Sequence, residues 1–254
     1  MCTLALFFHM FEGFPLLLAA NRDEHYDRPS TAPALIAGEP KVVAGLDLRA
    51  GGTWLGVNNR GIIAGILNRR SNGAIPPAAE LRSRGRLCLD LLQRTSVADS
   101  EMFLQGHRHR YNPFTAVIAG GSDALVAYNQ GLNIILQKLG PGLHVFSSAA
   151  QFDLHSAKAA RAYALFSQAV QGQNLGQNDG AGVVAALQPV LADHSLAADS
   201  EDPGDAICVH REGSGTVSSS IVRFGEVESH FESFYCPGAP CSHTFSAALT
   251  LGVS

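Results

Sequence analysis

The chain has 254 residues, is 46% hydrophobic and carries a net charge of −4 with only 16% charged side chains. That length suits one large core or two small ones, the weak negative charge excludes nucleic acid as the main partner, and the lack of any apolar run of about 20 residues excludes a membrane-spanning helix. Five cysteines (Cys2, Cys88, Cys208, Cys236, Cys241) with no repeated spacing, and an apolar start without a basic lead-in, point to reduced thiols in a cytoplasmic protein.

Cys2–Phe8 and Pro15–Ala20 are short apolar runs separated by Glu12-Gly13, which predicts a β-hairpin with both strands largely buried. Thr53–Asn58 and Ile62–Asn68 flank Asn59-Arg60-Gly61 and predict a second hairpin. Leu81 to Gln93 has Leu81, Cys88, Leu91 and Leu92 on one helical face and Ser83 as a cap. Phe114–Ala119, Leu125–Asn129, Ile134–Lys138 and Leu143–Phe146 read as a meander of strands. Ser156–Val170 is an Ala-rich amphipathic helix, Gln171–Gly180 a polar loop, Val183–Leu191 a second helix and Ala192–Asp205 an acidic connection. Ala206–His210, Ser218–Phe224 and Val227–Tyr235 resume the strands. This order predicts an α+β chain of mainly antiparallel sheets with helices on their outer faces, in one domain over residues 1–254.

Cys2 is the residue with the most chemistry. If Met1 is removed, it carries a free amine (pKa roughly 8) and a thiol (about 8.5) on one residue, and an N-terminal amine activates such a nucleophile. The first hairpin places the end of its second strand, Asn21-Arg22-Asp23-Glu24, beside Cys2. Asp23 is then positioned to orient the thiol and Arg22 to lower its pKa. Asn68 closes the second hairpin, where its amide could hold a tetrahedral oxyanion. Gly51-Gly52 allows either close backbone approach to a ligand or a plain loop. Arg60, Arg69, Arg70, Arg82, Arg84 and Arg86 against the single acid Glu80 form either a solvated face or a mouth for anionic groups.

Cys2, Asn21-Arg22-Asp23-Glu24, Gly52-Thr53-Trp54-Leu55-Gly56 and Ser83-Arg84-Gly85 together resemble the NRDE family, also called the transport and Golgi organisation protein 2 family. That family is similar to N-terminal nucleophile hydrolases of the penicillin V acylase and bile salt hydrolase group. The resemblance implies a four-layer α-β-β-α sandwich with the nucleophile opening an inner strand. It implies Cys2, Arg22, Asp23 and Asn68 as catalytic residues, and Asn21, Glu24, Trp54, Arg69, Arg70 and Ser148 as ligand-binding ones. The chain departs from the group's pattern twice: Ser147-Ser148 stands where Ser-Asn is usual, and Gly215-Thr216-Val217 where Gly-Thr-Arg is usual. One oxyanion or orienting donor and one cation of that pattern are therefore missing.

Three functions follow. The first is a cysteine amidohydrolase cleaving a linear amide or acyl bond of a small, anionic substrate, with no cofactor required. The second is a carrier on the same scaffold for haem or acyl-coenzyme A, in line with the family's association with haem trafficking and lipid metabolism. The third is an adaptor without a small ligand. Oligomeric state is not legible. Cys236, Cys241 and His243 offer three metal ligands where a structural zinc needs four, and Cys208 and His210 join only if the fold brings them close, so no metal site is expected.

Overall fold

Alternation of apolar side chains builds the strands, and residues with a 3.6-residue period build the helices laid on them. The computed structural model describes residues 2–69, 81–106, 110–130, 133–148, 156–171, 175, 179–196 and 200–254. Its first strands are β1 (Thr3–Phe11), β2 (Phe14–His25), β3 (Ala34–Ile36), β4 (Val42–Ala44), β5 (Leu55–Asn58), β6 (Ile63–Asn68) and β7 (Leu81–Arg82). Helices α1 (Arg84–Leu92) and α2 (Val97–Gly106) lead to β8 (Arg110–Tyr111), β9 (Phe114–Ala119), β10 (Ala124–Gln130), β11 (Asn133–Leu139) and β12 (Gly142–Ser147). Then come α3 (Ala157–Val170), α4 (Gly180–Leu191), β13 (His210–Arg211), β14 (Ser214–Gly225), β15 (His230–Cys236) and β16 (Leu249–Gly252). The chain divides into two compact units, residues 1–27 with 141–250, and residues 28–140 with 251–254.

The first unit is built on the antiparallel order β12-β1-β2-β14-β15-β16, with β13 beside β14. The first hairpin forms as expected: β1 and β2 pair from Thr3↔Asn21 to Phe11↔Phe14, and the turn closes at Gly13 with φ +78°, a conformation natural to glycine. One face of this sheet presents Ala5, Phe7, Leu17, Ala19, Val145 and Ile221 to Ala159, Ala162 and Phe166 of α3 and Val183, Leu187 and Leu191 of α4. Phe7 and Phe166 meet edge-on at 5.9 Å, a geometry worth about 1 kcal/mol beyond the area buried. Ser156 caps α3 by accepting from the Ala159 N–H, and Asp179 caps α4 by accepting from the Gly182 N–H.

The second unit is built on the antiparallel order β11-β10-β9-β6-β5-β4-β3. Leu87, Cys88, Leu91 and Leu92 of α1 and Leu104 of α2 pack on Val42, Ala44, Ala64, Ile66, Ala116, Ile118, Leu125 and Ala127. The second hairpin turn is clamped by Asn58, whose side-chain oxygen accepts from the N–H groups of Arg60 and Ile62 while its amide donates to the carbonyls of Leu92 and Arg94.

Several local expectations are corrected. Leu81 lies in β7, and the helix begins at Arg84 with Ser83 in the N-cap position but making no side-chain cap. Helix α2 was not foreseen; its sequence, VADSEMFLQG, carries only a weak apolar stripe, with Val97, Ser100 and Leu104 buried. Of Ala206–His210 only His210 joins a strand, because Cys208 and Val209 are pinned to the carbonyl of Asp193 and the hydroxyl of Thr216. β15 begins at His230, since Val227 sits exposed in the preceding turn. The polar loop expected at 171–180 lies largely outside the described residues.

Candidate active site

The site grows from the open end of the β1–β2 hairpin. One step beyond the Thr3↔Asn21 pair, the same register sets Cys2 opposite Arg22. Alternation groups Arg22 with Leu18 and Ala20, on the face opposite to the Ala19 side that α3 and α4 cover. Arg22 is itself almost wholly buried. The Cys2 backbone is held from the other flank, where the Ser148 N–H donates to the Cys2 carbonyl at 3.2 Å. The thiol is held by Asp23 through its main chain: the Asp23 N–H donates to Cys2 Sγ at 3.4 Å, and Sγ stands 3.7 Å from the Asp23 carbonyl oxygen.

The Asp23 carboxylate works elsewhere. Thr216 Oγ1 donates to Asp23 Oδ1 at 2.7 Å, and the ammonium of Lys158 stands 3.6 Å from Asp23 Oδ2. Both charged side chains are buried, at 2% and 3% exposure, so this is an interior ion pair. Lys158 also donates to the Gly204 carbonyl at 3.2 Å. Burial pulls its pKa down from the ordinary lysine value, opposed by Asp23 and Cys2. Burial, followed by the negative charge of Asp23, pushes the Cys2 thiol up, while the N-terminal charge, then the Asp23 N–H and then Lys158 pull the other way. Ionisation of the thiol is thus disfavoured, and Lys158 adds a cationic pull of the kind that the sequence assigned to Arg22.

Asn21 is completely buried and its amide is spent within the fold. Its nitrogen donates to the carbonyls of Leu191 and Ile207 at 2.8 and 2.9 Å, and its oxygen accepts from Ser219 Oγ at 2.6 Å. It therefore fastens the end of α4 and the 206–209 segment to β2. Glu24 accepts from the His25 N–H at 3.0 Å. Ser148 is buried, and its hydroxyl has no hydrogen-bond partner among the described residues. An unpaired buried hydroxyl is costly, and this one adjoins the Cys2 main chain.

Asn68, Trp54 and Arg69 belong to the second unit. Asn68 is exposed at the end of β6. Trp54 packs partly buried against the core under α1. Arg69 lies over the Tyr128 ring at 4.9 Å and donates to the Asn129 carbonyl at 3.3 Å. Arg70 lies outside the described residues. Among the described residues of the arginine-rich segment, Arg60 pairs with Glu39, Arg82 with Asp90, and Arg84 donates to the Pro113 carbonyl. Gly52 needs its backbone freedom (φ +147°) because a Cβ there would lie 2.4 Å from the Gly85 carbonyl carbon. The close approach is between two of the chain's own motifs, sealed by the Thr53 N–H donating to the Gly85 carbonyl.

Sequence reasoning missed Lys158 and Thr216. The signal for Lys158 was present: it shares the buried side of α3 with Ala159, Ala162 and Phe166, where an unpaired lysine is rare. Thr216 stood in the Gly215-Thr216-Val217 motif, of which only the third position was weighed.

Solved structures place this architecture. A mutant of the conjugated bile acid hydrolase from Clostridium perfringens superposes with a TM-score of 0.60 at 10% identity, covering 100% of this chain and 97% of that one. Penicillin V acylase from Agrobacterium tumefaciens gives 0.56 at 10% identity over 100% and 99%. The Caenorhabditis elegans ortholog of N-acylethanolamine-hydrolyzing acid amidase gives 0.56 at 12% over 87% and 92%. The fold is therefore that of the N-terminal nucleophile hydrolases, with two antiparallel sheets that each carry helices.

At the level of sequence, the profile of the Transport and Golgi organisation 2 family matches residues 1–234, and the chain belongs to that family. A mouse homolog is 38% identical over 113 residues, 42% of this chain and 39% of the relative. The bovine homolog is 33% identical over 147 residues, covering 54% and 51%. The chain thus spans about half or less of the length of these curated relatives.

Proposed function

We propose that the chain is an N-terminal-cysteine hydrolase acting on a linear, non-peptide amide or acyl bond of a small substrate. The observation that carries this reading is the held Cys2 thiol, fixed by the Asp23 N–H beside a buried Lys158–Asp23 pair. In this reading Met1 is removed and the Cys2 amine takes the thiol proton, directly or through one water. Because burial keeps the thiol protonated, attack depends on that base rather than on a standing thiolate. The sulfur forms a bond to the carbonyl carbon and the π electrons move to oxygen. The Ser148 hydroxyl, without a hydrogen-bond partner among the described residues and standing where the group's pattern has an amide, supplies an oxyanion donor, and Arg22 a neighbouring cation. Collapse expels the amine, which takes the proton from the Cys2 ammonium. Water then cleaves the thioester, releasing the acid and restoring the thiol. The named activities of the three structural relatives, a hydrolase, an acylase and an amidase, agree with this chemistry.

The test is amine release from a panel of N-acyl amides by the full chain and by Cys2→Ala. The expected result is turnover of at least one panel member that disappears in the variant. No turnover by protein shown by mass to lack Met1, or equal turnover by the variant, overturns the reading.

A carrier for haem or acyl-coenzyme A is the second reading. It is favoured by the upward-shifted Cys2 thiol and by Val217, which stands where the group's pattern has an arginine. It requires saturable binding of haemin or acyl-coenzyme A that survives Cys2→Ala.

A further inference from the structure

Away from Cys2, within the first unit, four side chains that bind soft metals converge. They are His194, Cys208, His210 and Cys241, and one ligating atom from each lies within 4.8 Å of the others. Cys208 Sγ and Cys241 Sγ are 3.7 Å apart, too far for a disulfide bond and within the reach of a shared ion. His210 Nε2 is 3.7 Å from Cys208 Sγ and 3.3 Å from Cys241 Sγ. A tetrahedral zinc with bonds of about 2.3 Å to sulfur and 2.05 Å to nitrogen sets its sulfurs about 3.8 Å apart and each sulfur about 3.6 Å from a nitrogen. The observed separations match that frame. His194 completes it: its Nδ1 lies 3.1 Å from the Cys208 carbonyl, which leaves Nε2 as the ligating nitrogen. A backbone carbonyl on the far nitrogen is the usual support for a metal-bound imidazole.

We propose that His194, Cys208, His210 and Cys241 form a closed, structural Cys2His2 site for zinc. Four protein ligands leave no open position, so the ion fastens chain segments rather than activating water. Each ligand sits on a pinned backbone. The Cys208 N–H donates to the Asp193 carbonyl, next to His194. His210 pairs with Gly215 across the β13–β14 turn. Gln188 of α4 donates to the Pro240 carbonyl, next to Cys241. The site is near the surface, with Cys208 buried and the other three exposed, so an ion can enter.

Zinc takes cysteine as the thiolate and histidine as the neutral imidazole. Zinc binding therefore releases both thiol protons, and affinity falls as pH is lowered. The clip also bears on the Cys2 region. Cys208 and His210 flank Val209, whose N–H donates to Thr216 Oγ1, and Thr216 in turn donates to Asp23. The proposal stands independently of whether Cys2 is catalytic.

The test starts from the full chain purified under reducing, chelator-free conditions, with metal measured by mass spectrometry of the elements and the wild type then loaded with cobalt(II). The expected results are one zinc per chain, intense visible bands of tetrahedral cobalt and a thiolate-to-cobalt charge-transfer band. Cys241→Ser and His210→Ala should each lower zinc affinity at least tenfold. Because either variant could misfold, alkylation of wild-type Cys208 and Cys241 is followed with and without zinc, and protection by zinc is expected. Less than a tenth of an equivalent after equilibration with zinc, an octahedral cobalt spectrum, unprotected thiols, or a Cys208–Cys241 disulfide in freshly isolated protein would each overturn the assignment.

Discussion

Replacing Lys158 by Met tests the interior pair that organises the end of β2. Lys158 and Asp23 are 2% and 3% exposed and 3.6 Å apart. Removing one member of such a pair strands the other, at a usual cost of about 3–5 kcal/mol. Thr216 still donates to Asp23 at 2.7 Å, which sets the expectation at the lower end, about 3 kcal/mol. For a chain of this length each kcal/mol moves Tm by about 2–4 °C, so Lys158→Met should lower Tm by about 6–12 °C. Asp23→Asn should cost a similar amount, because the buried Lys158 ammonium then loses the carboxylate it is paired with. The double variant removes both charges and should cost less than the sum of the singles by about 1–3 kcal/mol. Guanidinium titrations of the four proteins, followed by circular dichroism, supply the cycle. A loss below about 1 kcal/mol for Lys158→Met, or strict additivity in the double variant, would refute the pairing argument.

Other outcomes follow from the same geometry. Asn21→Ala leaves the carbonyls of Leu191 and Ile207 and the Ser219 hydroxyl unsatisfied and should cost about 3 kcal/mol or more in a denaturant titration. Gly52→Ala places a Cβ against the Gly85 backbone at positive φ, with an expected loss of about 3 kcal/mol, read the same way. The Cys2 thiol pKa is raised on folding, so its contribution to stability is complete below about pH 8.5 and is lost as pH climbs through the folded value. Cys2→Ala should therefore show a shallower alkaline decline in Tm between pH 8 and 10 than the wild type, as roughly follows from that window. Iodoacetamide should label Cys2 more slowly at pH 7.5 than an unstructured cysteine peptide, at about the ordinary thiol pKa, and more slowly still in Lys158→Met, because Lys158 pulls the thiol pKa down.

The two hairpins were legible because each is a pair of apolar runs around a Gly-containing turn, and β1 and β2 pair in the register that alternation requires. Helix α3 was legible from its stripe and its Ser156 cap. Helix α2 was not, because its apolar residues are too few to outweigh Asp99, Ser100 and Glu101. At the site, topology alone brought Asp23 beside Cys2, yet the contact is made by the Asp23 main chain while the carboxylate turns to Lys158 and Thr216. No local pattern encodes that division, since the partners lie more than 130 positions away in sequence. The same limit hid the histidine–cysteine cluster. Cys208 and His210 were visible as neighbours on one side of a segment, but His194 and Cys241 arrive through the loop after α4 and the turn after β15. Cys236 and His243, which looked like their partners, are instead hydrogen-bonded to the carbonyls of Gly238 and Ala239.

The most direct measurement is acid-quench mass spectrometry of the protein mixed with N-acyl amides, with the adduct mapped to a peptide. The account expects an acyl group on the peptide that begins at Cys2, appearing before free acid accumulates and absent from Cys2→Ala. An adduct on another cysteine, or free acid formed with no thioester at Cys2, would contradict it.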